Sequence, residues 1–170
     1  MPNFVALLRA VNVGGTGRLP MAELKAMCLA EGFERVRTYI ASGNAVFSAH
    51  KSEVQVKLAL ERRLKSYAGR PVGVIVRTAK EIADVLSGNP FPAAPPNLTC
   101  AIFLDEPPPA DTLDTVRHRT VEEIRLGKRE IYVAYGAGMG RSKLQIPAGA
   151  AGTARNINTI AKLADLAARA

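Results

Sequence analysis

Residues 136–143, GAGMGRSK, gather Gly136, Gly138, Gly140, Arg141, Ser142 and Lys143 in one short run. Free backbone N–H groups, two cations and a hydroxyl are the ingredients of a cradle for a phosphate group. The Gly-Lys-Ser order of a nucleotide-binding P-loop is absent, and no strand-to-helix dinucleotide fingerprint surrounds the run. A glycine-rich turn with a basic tip accounts for the same residues, so both readings stand. A second candidate is Gly152-Thr153-Ala154-Arg155-Asn156, read as opening the last helix with Thr153 as its cap. The N-terminal amides and dipole of a helix favour an anion, and Arg155 in a first turn opposes that dipole unless an anion or acid lies beside it. Asn156 and Asn158 add polar groups there, with capping and solvent contact as their plainer role. Ser42 and Asn44, on either side of Gly43, form a third polar cluster for which turn geometry is the alternative reading.

Acid–base and metal chemistry find little support. His50 and His118 are the only histidines, and neither stands in a pattern with serine or cysteine that makes a catalytic triad. No His, Cys and carboxylate group shows metal-ligand spacing, so no metal and no cofactor is expected. Glu122-Glu123 reads as a solvated strand edge and not as a catalytic pair. Whether the chain is an enzyme stays open, and a small enzyme using Ser42 or Ser142 without histidine ranks last.

These residues need a frame, and the composition allows one. The 170 residues are 48% apolar and 22% charged, with a mean hydropathy of +0.04, enough to bury a core in one compact unit. Cys28 and Cys100 are too few and too far apart for a disulfide framework or a structural zinc site. The opening run MPNFVALLRAVNVGG is interrupted by Arg9 and has no small-residue cleavage site, so neither a signal peptide nor a membrane span is expected. A cytoplasmic protein without membrane partners is the resulting expectation.

Residues 4–11 (FVALLRAV) read as a strand, and Pro20 opens a helix with Met21, Leu24 and Cys28 on one face that Gly32 stops. Residues 35–41 and 45–48 form a hairpin through Ser42-Gly43-Asn44. Residues 52–67 read as an amphipathic helix with Val56, Leu60, Leu64 and Tyr67 inward, and residues 71–78 as a strand. Thr78 caps a short helix to residue 86, with Glu81 three residues on. Beyond a proline-rich passage come a strand at 99–104, a short helix at 110–117, a hairpin of 122–126 with 130–135, and a last helix burying Ile160, Leu163, Ala164 and Ala167. The expected class is α+β, an α/β sandwich: a ferredoxin-like βαββαβ unit over 1–88, a Pro-rich linker over 89–98, and a related, truncated βαββα unit over 99–170.

Alternation divides the first-half strands into two faces. Phe4, Ala6, Leu8, Val36, Thr38, Ile40, Val72, Val74 and Val76 face the helices. Val5, Leu7, Arg9, Arg37, Tyr39, Ile75 and Arg77 face the other way, too apolar a surface to stand in water without a cover. Arg9, Arg37 and Arg77 on that face are either the cations of a cleft or partners of acids in the second half. Net charge is +8 overall, distributed as +8 over residues 1–80, −4 over 81–135 and +4 over 136–170.

The stretches RAVNVGG (9–15), LPMAELKAM (19–27), GFERVRTYIASGNAVF (32–47), NPFP (89–92) and TARNINTIAKL (153–163) resemble the bacterial family known as domain of unknown function 1697. The resemblance implies an α/β protein of ferredoxin-like character with a paired subdomain and no established activity. It departs at Ile157, where such members often carry Trp. Its implied shared site is Arg9, Asn12, Gly14, Gly15, Ser42, Gly43, Asn44, Ser142, Arg155, Asn156 and Asn158. The leading expectation is therefore a binder of an anionic small molecule, a phosphorylated metabolite or nucleotide, in a cleft between the halves. Arg9, Arg37, Arg141, Lys143 and Arg155 would supply the charge. The alternative is a nucleic-acid-binding module, for which the scarcity of aromatics, 5% with no Trp, is unfavourable. Oligomeric state is left open.

Overall fold

A computed structural model describes residues 1–12, 18–136 and 139–169, apart from the side chain of Met139. Gly14, Gly15 and Gly138 lie outside the described residues. The elements are β1 (Asn3–Leu8), α1 (Met21–Ala30), β2 (Glu34–Thr38), β3 (Asn44–Ser48), α2 (Glu53–Ala68), β4 (Val74–Thr78), α3 (Ala79–Ser87), β5 (Thr99–Phe103), β6 (Glu123–Leu126), β7 (Glu130–Ala134), β8 (Thr153–Asn156) and α4 (Ile157–Arg169). The result is a mixed α+β protein with two four-stranded antiparallel sheets, ordered β2-β3-β1-β4 and β6-β7-β5-β8. It divides into two compact units, Met1–Ala83 with Lys162–Ala170, and Asp84–Ala161.

In the first unit, Phe4, Ala6, Leu8, Phe47, Val74 and Val76 pack with Leu24, Met27 and Cys28 of α1 and with Val56, Leu60 and Leu64 of α2. Phe33 stacks on Phe47 with ring centroids 4.5 Å apart. Ser52 and Gln55 close a capping box on α2, and Thr78 and Glu81 exchange the same pair of bonds at α3, as their spacing predicts. Glu31, just past α1, ties that helix to the next: Arg63 bonds its carboxylate, and Lys51 and Arg62 lie 3.5 and 3.6 Å away. The outer edge of β4 is occupied from α2, with Lys57 Nζ donating to the Val74 carbonyl at 2.6 Å and the Val74 N–H donating to Glu61 at 3.1 Å.

Two expected inward residues of this unit point elsewhere. Ile40 is exposed, because the chain leaves β2 at Thr38 and passes Ile40 at a φ of +51° on the way into the turn. Tyr67 is 47% exposed, near the end of α2, while Val56, Leu60 and Leu64 are buried as expected. On the opposite sheet face Val5, Leu7, Val46, Ile75 and Arg77 are all buried, so the surface is covered as its apolarity requires. Part of the cover is the end of α4: Asn3 Nδ2 donates to the Ala167 carbonyl at 2.9 Å, and Leu163 and Ala167 are buried.

The second unit departs further from the sequence pattern. Residues 153–156 are not the start of a helix: they form β8, paired antiparallel with β5 from Cys100↔Asn156 to Phe103↔Thr153. The cap falls one turn later, where Asn156 Oδ1 accepts from Thr159 N at 2.8 Å. Four residues are too few to show a strand period, and only the open edge of β5 reveals the pairing. The expected helix at 110–117 reduces to a 3-10 turn, Thr112–Thr115. The core here is Leu104, Ile124, Ile131 and Val133, with Ile102, Leu144 and Ile146 packed against it. Tyr132 reaches out of this sheet to donate its hydroxyl to the Val85 carbonyl at 2.8 Å.

Candidate functional site

At the end of β1 the chain turns sharply. Arg9 N donates to the Gly73 carbonyl at 2.9 Å, and Ala10 and Asn12 then take φ values of +50° and +55°. Asn12 closes the following loop: its Nδ2 donates to the Leu19 carbonyl at 2.8 Å and its Oδ1 accepts from Leu19 N at 2.6 Å. The same Nδ2 donates at 2.8 Å to the carbonyl of Ala41, in the neighbouring hairpin turn. Within that turn Asn44, fully buried, donates to the Tyr39 carbonyl at 2.8 Å and to Ser42 Oγ at 2.9 Å. Arg9, Asn12, Ser42 and Asn44 are therefore brought to one end of the first sheet, and the two asparagines hold backbone there.

The three strand arginines are spread out. Arg37, Val46, Val5 and Arg77 form one cross-strand row, which sets Arg37 and Arg77 about 14 Å apart at the backbone by three strand spacings. Arg37 is exposed, whereas Arg77 is buried and donates to its neighbour's carbonyl, Val76 O, at 3.2 Å. Arg9 is level with Gly73, just before β4 and four residues from Arg77.

Asn12 also shapes a cavity. By fixing Leu19 it sets Val11, Arg18 and Leu19 against the last turns of α2, and a cavity of about 230 Å³ opens between them. Val11, Leu19, Leu64 and Val72 make its apolar wall, and Arg18, Tyr67 and Arg70 complete the lining with Ala68. Among the described residues no acid lines it. Arg18 and Arg70 are its cationic groups, beside a helix C-terminal end that contributes roughly half a negative charge. Arg18, Tyr67 and Arg70 stand outside any glycine-rich run, and the spacing of Tyr67 with Leu64 and Leu60 points it to the core. Their one legible signal was an arginine directly after the Gly69 cap of a helix that ends in tyrosine and alanine.

In the second unit the basic loop is tied to an acid. Glu122, read as solvated, is 2% exposed. It accepts Ser142 Oγ at 2.6 Å, Thr120 N at 2.7 Å and Thr120 Oγ1 at 3.2 Å. The Ser142 hydroxyl bond, followed by those from Thr120, draws its carboxyl down to about 2. Neither local period nor charge marks Glu122 as inward, because the loop that covers it returns from twenty residues away. Arg141 and Lys143 are exposed beside Ser142. Arg155 lies in β8 opposite Ala101, so the conflict with a helix dipole inferred for it does not exist. It is buried and donates to Thr153 Oγ1 at 2.7 Å and to the Ala154 carbonyl at 2.9 Å, and burial lowers its guanidinium to about 10. Asn156 caps α4 and Asn158 is exposed in its first turn.

Fold and site together define a class: a mixed α+β protein of two antiparallel-sheet units, with an arginine-flanked apolar cavity in the first. The chain belongs to the family described as protein of unknown function DUF1697, whose model matches residues 1–132. Among solved structures it is similar to the conserved bacterial protein SP0830 from Streptococcus pneumoniae, at 23% identity, a TM-score of 0.80 and coverage of 97% of this chain and 98% of that one. That likeness extends to the fold. No curated protein matches the sequence.

Proposed function

We propose that the protein binds a small anionic ligand and that the cavity beside the end of α2 is where it does so. The observation that carries this reading is that Arg18 and Arg70, from separate segments, both line a largely apolar cavity. Guanidinium groups suit carboxylate and phosphate oxygens, and the apolar wall suits the rest of a small ligand. Ser142, by contrast, already gives its hydroxyl to a carboxylate, and Arg155 is buried on local acceptors. The frame we infer is ferredoxin-like, supported by the order βαββαβ and the sheet order β2-β3-β1-β4. Both cysteines are buried and neither is in a disulfide, which suits the cytoplasm.

A nucleic-acid role has less behind it. Phe47, the aromatic of the third strand, is buried against Phe33 and offers no face to a base.

Titration with inorganic phosphate, followed by calorimetry and by thermal melting, tests the proposal. Saturable binding that raises Tm is expected, and the double variant Arg18→Ala/Arg70→Ala is expected to abolish it while Arg141→Ala/Lys143→Ala leaves it intact. Binding that survives the first double variant and disappears in the second overturns it.

A further inference from the structure

We infer, resting on that reading, that the ligand is a small acid with a single-ring or short branched apolar body and one oxyanion end, and is not a nucleotide. Size carries the first part. The cavity measures about 230 Å³, below the ~300–1,000 Å³ of sites for drug-sized molecules and above the ~150 Å³ that holds a benzene ring. A base, ribose and phosphate together are drug-sized, whereas one ring with a few further atoms fills the space.

Chemistry carries the second part. Val11, Leu64 and Val72 are buried and present only hydrocarbon, so they offer nothing to the hydroxyls of a sugar or the edges of a base. A ligand burying hydroxyls there would leave them without partners, at a cost that hydrocarbon avoids. Tyr67 is 47% exposed although it lines the cavity, so its ring is available to lie against a planar body. Among the described lining residues the polar side-chain groups are two guanidiniums and the tyrosine hydroxyl, which suit an oxyanion. The carboxylate and the phosphate ester share this chemistry, and the two are separated by experiment.

Four probes are compared by calorimetry on the full chain: phenyl phosphate, benzoate, inorganic phosphate and adenosine monophosphate. Burying a phenyl ring is expected to make phenyl phosphate or benzoate bind about ten- to a hundredfold tighter than inorganic phosphate, the tighter of the two naming the oxyanion. Adenosine monophosphate is expected to bind no tighter than inorganic phosphate. Ala68→Trp, a filling substitution at an exposed lining position, is expected to remove the aromatic advantage and keep the weak phosphate binding. Tyr67→Ala, also exposed, is expected to lower the phenyl phosphate affinity several-fold and guards against a folding defect in the first variant. Inorganic phosphate binding as tightly as the ring-bearing acids, adenosine monophosphate binding as tightly as phenyl phosphate, or an Ala68→Trp protein that keeps the aromatic advantage overturns this inference alone. Failure of every anion to bind overturns the anionic-ligand reading with it.

Discussion

Gly43 stands where two other side chains converge: a Cβ there would lie 2.8 Å from Val11 Cγ2 and 2.9 Å from Leu8 Cβ, and its φ is +91°. Gly43→Ala combines left-handed strain with overpacking, and urea unfolding is expected to show a loss of roughly 2–5 kcal/mol. Asn12 gains its importance through Leu19. Asn12→Ala removes its bonds to Leu19 and Ala41 and releases the segment that carries Arg18. It is expected to weaken phosphate binding although Asn12 does not line the cavity, and Asn12→Asp, which sets a carboxylate oxygen against the Leu19 and Ala41 carbonyls, is expected to restore none of the affinity. Glu122 gives a pH dependence with a definite sign. Its carboxyl is held near 2 in the folded protein against an ordinary 4.5, so its contribution is complete above about 4.5 and is lost as pH falls from there towards 2. The stability gap between the parent and Ser142→Ala, measured by urea unfolding, is expected at pH 6 and should close towards pH 2; an unchanged gap contradicts the assignment.

At the scale of elements, one glycine lets β8 lie against β5 and one asparagine caps α4. Gly152 passes so close to β5 that a Cβ would strike the Phe103 carbonyl oxygen and lie 2.8 Å from Leu104 Cδ2. Backbone cannot yield as a flexible side chain can, so Gly152→Ala is expected to break the pairing of β8 with β5, seen as lost amide protection at residues 153–156. Asn156→Ala removes only the helix cap and is expected to cost about 1 kcal/mol in chemical denaturation. Between α1 and α2 the connection is electrostatic. Burial acts to raise the Glu31 carboxyl, but Arg63 and Lys51 prevail and hold it below the ordinary range. Glu31→Gln is expected to lower stability by roughly 0.5–1 kcal/mol at neutral pH, since its partners are solvent-exposed, and by less in acid, where the parent loses the same charge.

For the whole molecule, the excess of +8 attracts any polyanion, and salt separates that attraction from a specific site. Oligonucleotide binding driven by net charge falls steeply with salt, because each neutralised phosphate releases counterions. A ring-bearing acid held partly by apolar contact in the cavity is expected to lose far less affinity over the same range. Calorimetry at two salt concentrations distinguishes the two behaviours, and parallel losses contradict the cavity reading.

The sequence by itself determined what depends on neighbours along the chain. The helix-facing set Phe4, Ala6, Leu8, Val74 and Val76 of β1 and β4, the three-and-four spacing in α1 and α2, the turn at Ser42-Gly43-Asn44 and the paired bonds of Thr78 with Glu81 are local patterns, and each appears in the structure. Only the tertiary structure decided what depends on chain segments meeting from afar. β8 exists because β5 offers an open edge, Glu122 is buried because Ser142 returns to it, and the cavity brings Val11 and Arg18 to Leu64, Tyr67 and Arg70. The physical reason is the same in each case. Hydrogen-bond and charge partners satisfied within a turn or a helical repeat leave a period in the sequence, whereas partners tens of residues away leave none.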